Sequence, residues 1–140
     1  MARIVADASV IVKFFIKEAY TEHALELRDS YIAGRIELLE PTLLPYEVLN
    51  AIKYNKAKRF GSEEFKIVIE SLYGYEFNLK DIDGETASKA VDLAIRNNIT
   101  IYDAVYVALA QSTHSELYTA DGNLIKAIKL PYVKHIKDFR

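Results

Sequence analysis

The run Ile4-Val5-Ala6-Asp7-Ala8-Ser9 constrains this chain more than any other stretch. Ile4 to Ala6 is apolar and too short for a helix, so it reads as a buried strand. It stops on a carboxylate, Asp7, with a hydroxyl two residues on at Ser9. The apolar stretch Val10 to Ile16 then reads as a helix. An ionised Asp where a buried strand meets a helix is costly unless something pairs with it. In open α/β sheets, ligands bind outside the carboxyl ends of the strands. Asp7 is therefore expected to be the first ligand of a divalent-metal site, met there by acids from later in the chain.

The remaining pattern alternates. Thr21 to Ala33 reads as a helix that ends at Gly34, followed by a strand over Ile36 to Leu39 that Pro41 closes. Thr42 has the place of an N-cap, with Pro45 in the first turn and a helix running to about Ala57. Gly61-Ser62 breaks that helix, and the next reaches about Tyr73. Glu76 to Leu79 is a third candidate strand. Asp83 caps a helix from Gly84 to about Arg96, and Thr100-x-x-Asp103 has the form of a capping box opening a helix from Tyr102 to about Thr113. Leu117 to Thr119 is a strand, Asn123 to Lys129 a short helix, and Tyr132-Val133 an edge strand. This order predicts a three-layer α/β/α fold around a central parallel sheet of four to five strands. With no linker, repeat or low-complexity tract, residues 1–140 are expected to form one domain.

Composition excludes some chemistry. There is no cysteine, which removes disulfides, thiol catalysis and thiolate zinc sites and fits a reducing cytoplasm. Met1-Ala2-Arg3 leads straight into the first strand without a secretory leader, and no apolar run approaches the ~20 residues of a membrane span. The expected location is the cytoplasm, with no membrane contact. At a net charge of −2, a nucleic-acid partner needs a local basic patch.

Glu47, Asp103 and Asp121 join Asp7 as acids at the starts of predicted helices. Each alone is an ordinary cap, favoured by the helix dipole, and the Thr100 capping box accounts for Asp103. As a set they say more. Asp7 and Asp121 each close a strand of one sheet, so both lie at its carboxyl edge. Each has a hydroxyl two residues away, Ser9 or Thr119, placed to orient a ligand or its water. Carboxylates gathered together raise one another's pKa, a penalty that a divalent cation removes. All-oxygen ligands favour Mg²⁺ or Mn²⁺. Such a site suits phosphodiester hydrolysis: one ion lowers the pKa of the attacking water and a second, about 4 Å away, stabilises the leaving oxygen.

At these residues the chain resembles a known family. Val5-Ala6-Asp7-Ala8-Ser9-Val10-Ile11-Val12-Lys13-Phe14-Phe15 is similar to the opening of PIN-domain proteins, in particular VapC-type toxins of toxin–antitoxin pairs. Leu44-Pro45-Tyr46-Glu47-Val48-Leu49-Asn50-Ala51-Ile52, Tyr102-Asp103-Ala104-Val105-Tyr106-Val107-Ala108-Leu109-Ala110 and Leu117-Tyr118-Thr119-Ala120-Asp121 resemble the family's later acidic motifs, in the family's order. Two places depart from the pattern: Gly122-Asn123 follows Asp121 where relatives often carry a charged pair, and Gln111 to Glu116 lacks a glycine often found there. The resemblance implies a PIN fold and a Mg²⁺- or Mn²⁺-dependent endoribonuclease. Its acidic cluster would be Asp7, Glu47, Asp103 and Asp121, with Ser9 and Thr119 in support. It also implies an RNA substrate, a homodimer and a cognate VapB-type antitoxin over the active-site groove. A PIN nuclease of RNA processing or repair without an antitoxin, and an inactive PIN-like binding module, are the alternatives.

Several other residues have two readings. Lys53, Lys56, Lys58 and Arg59, interleaved with Tyr54 and Phe60, suit an RNA backbone with stacked bases, or a solvated helix end whose cations complement the dipole. Lys13, with Lys17 one turn on, either flanks the groove or is a solvated stem. Asn50 lies one turn from Glu47, as a supporting ligand or a plain surface residue. The helix to Tyr73 carries apolar residues around more than one stripe, which suits a dimer or antitoxin interface as well as burial. His23, His114 and His135 lack ligand spacing, and Asp81-Ile82-Asp83-Gly84 fails as a calcium loop because its glycine comes too early. A haloacid-dehalogenase-type phosphatase needs an Asp where Ser9 stands.

Overall fold

β1 (Ala2–Ala6) is the middle strand of the sheet, and its last three residues are fully buried. A parallel strand covered on both faces has no polar side, which is why Ile4-Val5-Ala6 reads as a continuous apolar run. The computed structural model describes all 140 residues. Its five strands lie in the order β3-β2-β1-β4-β5, every pair parallel, with β2 at Ile36–Pro41, β3 at Asn78–Lys80, β4 at Glu116–Thr119 and β5 at Val133–His135. The register pairs Ile4 with Leu38 on one side and with Glu116 on the other. Seven helices connect them: α1 (Ala8–Ile11), α2 (Thr21–Ile32), α3 (Leu44–Lys53), α4 (Ser62–Gly74), α5 (Gly84–Asn97), α6 (Ile101–Ser112) and α7 (Gly122–Ile128). This is the three-layer α/β/α arrangement read from the pattern.

The strand order sets the layers. The chain moves outward from β1 to β2 to β3, then returns across the sheet to β4 and on to β5. Right-handed crossovers place the helices of the outward and return paths on opposite faces. α6 lies across β1, β2 and β4, with α5 packed against its far side. Its apolar run Ala104 to Ala110 is buried all round for that reason. The main core joins this helix to Leu27, Leu38, Leu44, Ile52 and Leu117, while small residues Ala90, Ala94, Ala104 and Ala108 let α5 and α6 approach closely.

Local structure departs from the sequence reading in three places. The segment Val10 to Ile16 is not one helix: α1 ends at Ile11 and a 3-10 turn covers Val12–Phe14. Thr42 does not cap α3. Its hydroxyl donates to Asp81 at 2.8 Å and its N–H to Lys80, extending the β2–β3 contact, and the helix starts after Leu43 without a side-chain cap. α3 stops at Lys53 rather than Ala57, because the Asn55 side chain accepts the N–H groups of Ala57 and Lys58 at 3.0 Å and holds a turn. The expected caps Asp83, for α5, and Thr100, for α6, are in place.

Some apolar surface has no cover in this chain. Ile67, Ile69 and Tyr73 on α4, and Val91 and Ile95 on α5, are exposed. No helix is long and apolar enough to cross a membrane. Leu38 is fully buried in the strand beside β1. Leu38→Ala is expected to lower stability by ~2–5 kcal/mol in urea denaturation; a change below 1 kcal/mol would contradict this packing.

Candidate functional site

The carboxyl ends of β1 and β4 are stitched together by side chains. Ser9, in the first turn of α1, donates its hydroxyl to Asp7 Oδ1 and accepts the N–H of Ala120 at 2.8 Å. Its oxygen lies 3.3 Å from the Thr119 hydroxyl, which accepts the N–H of Asp121 at 3.1 Å. Asp7 and Asp121 are thereby fixed beside each other, each capping the helix that follows: Asp7 accepts the N–H of Ser9, and Asp121 those of Asn123 and Leu124.

α3 and α6 bring their N-terminal ends to the same edge. A cleft of about 330 Å³ is lined there by Asp7, Ala8, Ser9, Glu47, Asn50, Ala51, Asp103, Tyr106 and Asp121. The four acids read from the sequence therefore share one cleft, with Ser9 and Asn50. Thr119 lies beneath, fully buried. Only half of the capping box at Asp103 forms: Thr100 Oγ1 accepts the Asp103 N–H at 3.0 Å, and the carboxylate makes no return bond to the Thr100 N–H. Capping thus leaves that carboxylate for the cleft.

The electrostatics are those of a crowded acidic site. Burial pushes the Asp7 carboxyl up to about 6; the Ser9 and Thr119 hydroxyls pull it back and Asp103 pushes it further up. Glu47 is raised by burial and by Asp103, and partly restored by the Tyr106 hydroxyl. Asp103 is raised by burial and then by Asp121, with the Thr100 hydroxyl opposing. The donors are all oxygens, the chemistry of a hard divalent cation, and a cation would remove the mutual repulsion. As the side chains stand, no three His, Cys, Asp or Glu groups are close enough together to hold one ion. The fit lies in the donor set and its charge.

Two groups at the site escape a reading of the sequence. Glu40, at the end of β2, is fully buried and accepts the Ala6 N–H through both oxygens, at 3.3 and 3.2 Å. Burial lifts its pKa well above the usual range, the Ala6 N–H opposes, and Asp7 adds to the rise. Its one sequence signal is a charge that follows the apolar pair Leu38-Leu39 directly ahead of Pro41. Tyr106, three residues after Asp103 on α6, is buried with its hydroxyl unbonded.

The basic residues lie elsewhere. Lys53, Lys56 and Arg59 are exposed and, with Tyr54, Asn55 and Phe60, line a separate hollow beyond the C-terminal end of α3. Lys13 is buried and ion-paired with Glu18 at 2.8 Å, so it neither lines the cleft nor is a solvated stem.

Comparison with known proteins gives the same picture. The PIN domain model matches residues 4–130. Ribonuclease VapC3 of Pyrobaculum aerophilum is 31% identical over 124 residues, which cover 87% of this chain and 92% of that protein. A toxin–antitoxin complex from Klebsiella pneumoniae contains a chain with a TM-score of 0.67 and 22% identity, over 93% of this chain and 94% of that one. FitAcB from Neisseria gonorrhoeae has a TM-score of 0.71 at 16% identity, over 97% and 99%.

The raised Asp7 pKa fixes the sign of a pH effect. Folded Asp7 keeps its proton up to about pH 6, unfolded Asp7 only to about 3.8. The folded state binds more protons between those values, so stability falls as pH rises through that window. Asp7→Asn keeps the oxygen that accepts the Ser9 N–H and removes this loss. In metal-free buffer at pH 7 the variant is expected to be more stable than wild type, by on the order of 1–3 kcal/mol. Urea denaturation with EDTA at pH 4 to 8 checks this; a variant less stable at pH 7 would contradict it.

Proposed function

Because this chain belongs to the PIN-domain family, we propose that it is a Mg²⁺- or Mn²⁺-dependent endoribonuclease of the VapC toxin type, acting as a single domain over residues 1–140. The observation that carries this reading is the meeting of Asp7, Glu47, Asp103 and Asp121 in one cleft at the carboxyl edge of a parallel sheet. The family's nucleases use divalent metal ions, and these four carboxylates would hold them here. A bound divalent cation supplies a water of lowered pKa and compensates charge on the phosphate and the leaving oxygen.

This chain's own groups do the positioning. Ser9 and Thr119 fix Asp7 and Asp121 relative to each other through the bonds that join β1 to β4. Burial of Asp7 keeps water from its inner side and strengthens its attraction for a cation. Asn50, exposed on the cleft wall one turn from Glu47, is placed to hold a water or a phosphate oxygen. No Ser, Cys or His stands ready as a covalent nucleophile: the Ser9 hydroxyl is occupied on both sides. Hydrolysis by water is the mechanism that this cleft supports. Lys53, Lys56 and Arg59 carry the positive charge for the RNA backbone, since the cleft itself is negative.

The toxin assignment adds partners: a VapB-type antitoxin and a second copy of the chain. The names of the relatives support it, among them a ribonuclease VapC3 and a toxin–antitoxin complex. The exposed Ile67, Ile69, Tyr73 and Ile95 offer apolar surface for such contacts. A processing or repair nuclease without an antitoxin has no observation of its own in its favour.

RNA cleavage is expected with Mg²⁺ or Mn²⁺, to vanish in EDTA, and to fall roughly 100-fold or more in Asp7→Asn, beyond the usual effect of losing an outer-layer partner. Cleavage by Asp7→Asn at the wild-type rate refutes the site. Purification from the native host should bring down a tight small protein partner; recovery of the chain alone would favour the nuclease without an antitoxin.

A further inference from the structure

One buried group at the cleft has no part in the chemistry described so far. Tyr106 is 1% exposed, its ring is built into the main core, the residue lines the cleft, and its buried hydroxyl has no hydrogen-bond partner. A buried hydroxyl left unbonded costs about 1–3 kcal/mol. A phenylalanine would fill the same space without that cost, so packing alone does not explain a tyrosine here.

The charged groups around the hydroxyl are all acceptors. Glu47 comes from α3, Glu40 from the end of β2 and Asp7 from the end of β1. Two of them are already engaged: Glu40 accepts the Ala6 N–H through both oxygens, and Asp7 accepts from Ser9. The Glu47 carboxylate makes no hydrogen bond in the structure, although the Tyr106 hydroxyl lies near enough to hold its pKa down. Carboxylates only accept, and a phenol can donate. A donor without an acceptor and an acceptor without a donor therefore belong to the same cleft.

We propose that Tyr106 is a positioning residue whose phenol O–H donates to the Glu47 carboxylate and orients it for cation binding. The proposal rests on the reading of the cleft as a divalent-metal site. Asp103, one turn earlier on the same helix, lines that cleft too, so α6 supplies both a ligand and the group that aims the ligand of α3. Outer partners of ligating carboxylates commonly set metal affinity by 10–100-fold.

The test needs no RNA. Mn²⁺ affinity is measured by calorimetry on wild type and Tyr106→Phe, and the Tm of each is measured in EDTA. Tyr106→Phe is expected to weaken Mn²⁺ binding about tenfold or more, with a Tm equal to or above wild type. A purely structural tyrosine would give the reverse, a lowered Tm with unchanged affinity, and that result overturns the proposal. Should Tyr106→Phe not fold, 3-fluorotyrosine placed at position 106 answers the question by ¹⁹F NMR. Its resonance must move when Mg²⁺ is added, and a stationary one overturns the proposal. Wild type that binds no Mn²⁺ refutes the metal reading itself; wild type that binds Mn²⁺ no better than a folded Tyr106→Phe refutes only the role of Tyr106.

Discussion

A carboxylate kept out of water at the end of the middle strand is the constraint around which this molecule is arranged. Asp7 is buried, and its pKa is lifted to about 6 chiefly by that burial. A chain selected for stability alone would place an amide there, or expose the acid. Instead Ser9 and Thr119 surround it with hydroxyls, and three more acids are drawn to the same edge. The burial and the gathering of acids lower stability when no cation is bound, and the hydroxyls offset only part of that loss. Together they make sense as preparation for one, since ligands held in place beforehand need little reordering on binding.

The contrast with Asp83 makes the point concrete. Asp83 caps α5 by accepting the Thr86 N–H at 2.8 Å, and this bond holds its pKa below the usual value. Asp7 makes the same kind of cap for α1, yet its pKa moves the other way. The cap chemistry is shared and the burial is not. From the sequence alone both are an Asp ahead of a helix, which is why any one acid of this set could pass for a cap.

How much was legible follows from the range of the interactions. The apolar run Ile4 to Ala6, the alternation of strands and helices, and the caps Asp83 and Thr100 are local signals, and the elements that they mark are present. The gathering of the four acids was legible because each closes a strand or opens a helix, and in a parallel sheet those ends share an edge. Thr42 misled because its hydroxyl bonds Asp81, 39 residues away. The basic hollow stands apart from the cleft because it lies beyond the C-terminal end of α3, whereas Glu47 lies in the first turn of that helix. Glu40 and Tyr106 were missed because their meaning depends on neighbours from other strands and helices. One reads as the end of a strand, and the other as one more aromatic in an apolar helix.

The order of the strands has a further consequence for biosynthesis. Ser9 and Thr119 meet across 110 residues, and β1 finds one of its two neighbours only when β4 exists. Pairings of such long range form late and slowly. A nascent chain halted before Glu116 holds Asp7, Glu47 and Asp103 but lacks β4, the strand whose Thr119 end is stitched to Ser9 beside Asp7. The acidic edge stays incomplete until β4 has been made. The topology makes assembly of this edge wait on the fourth of the five strands.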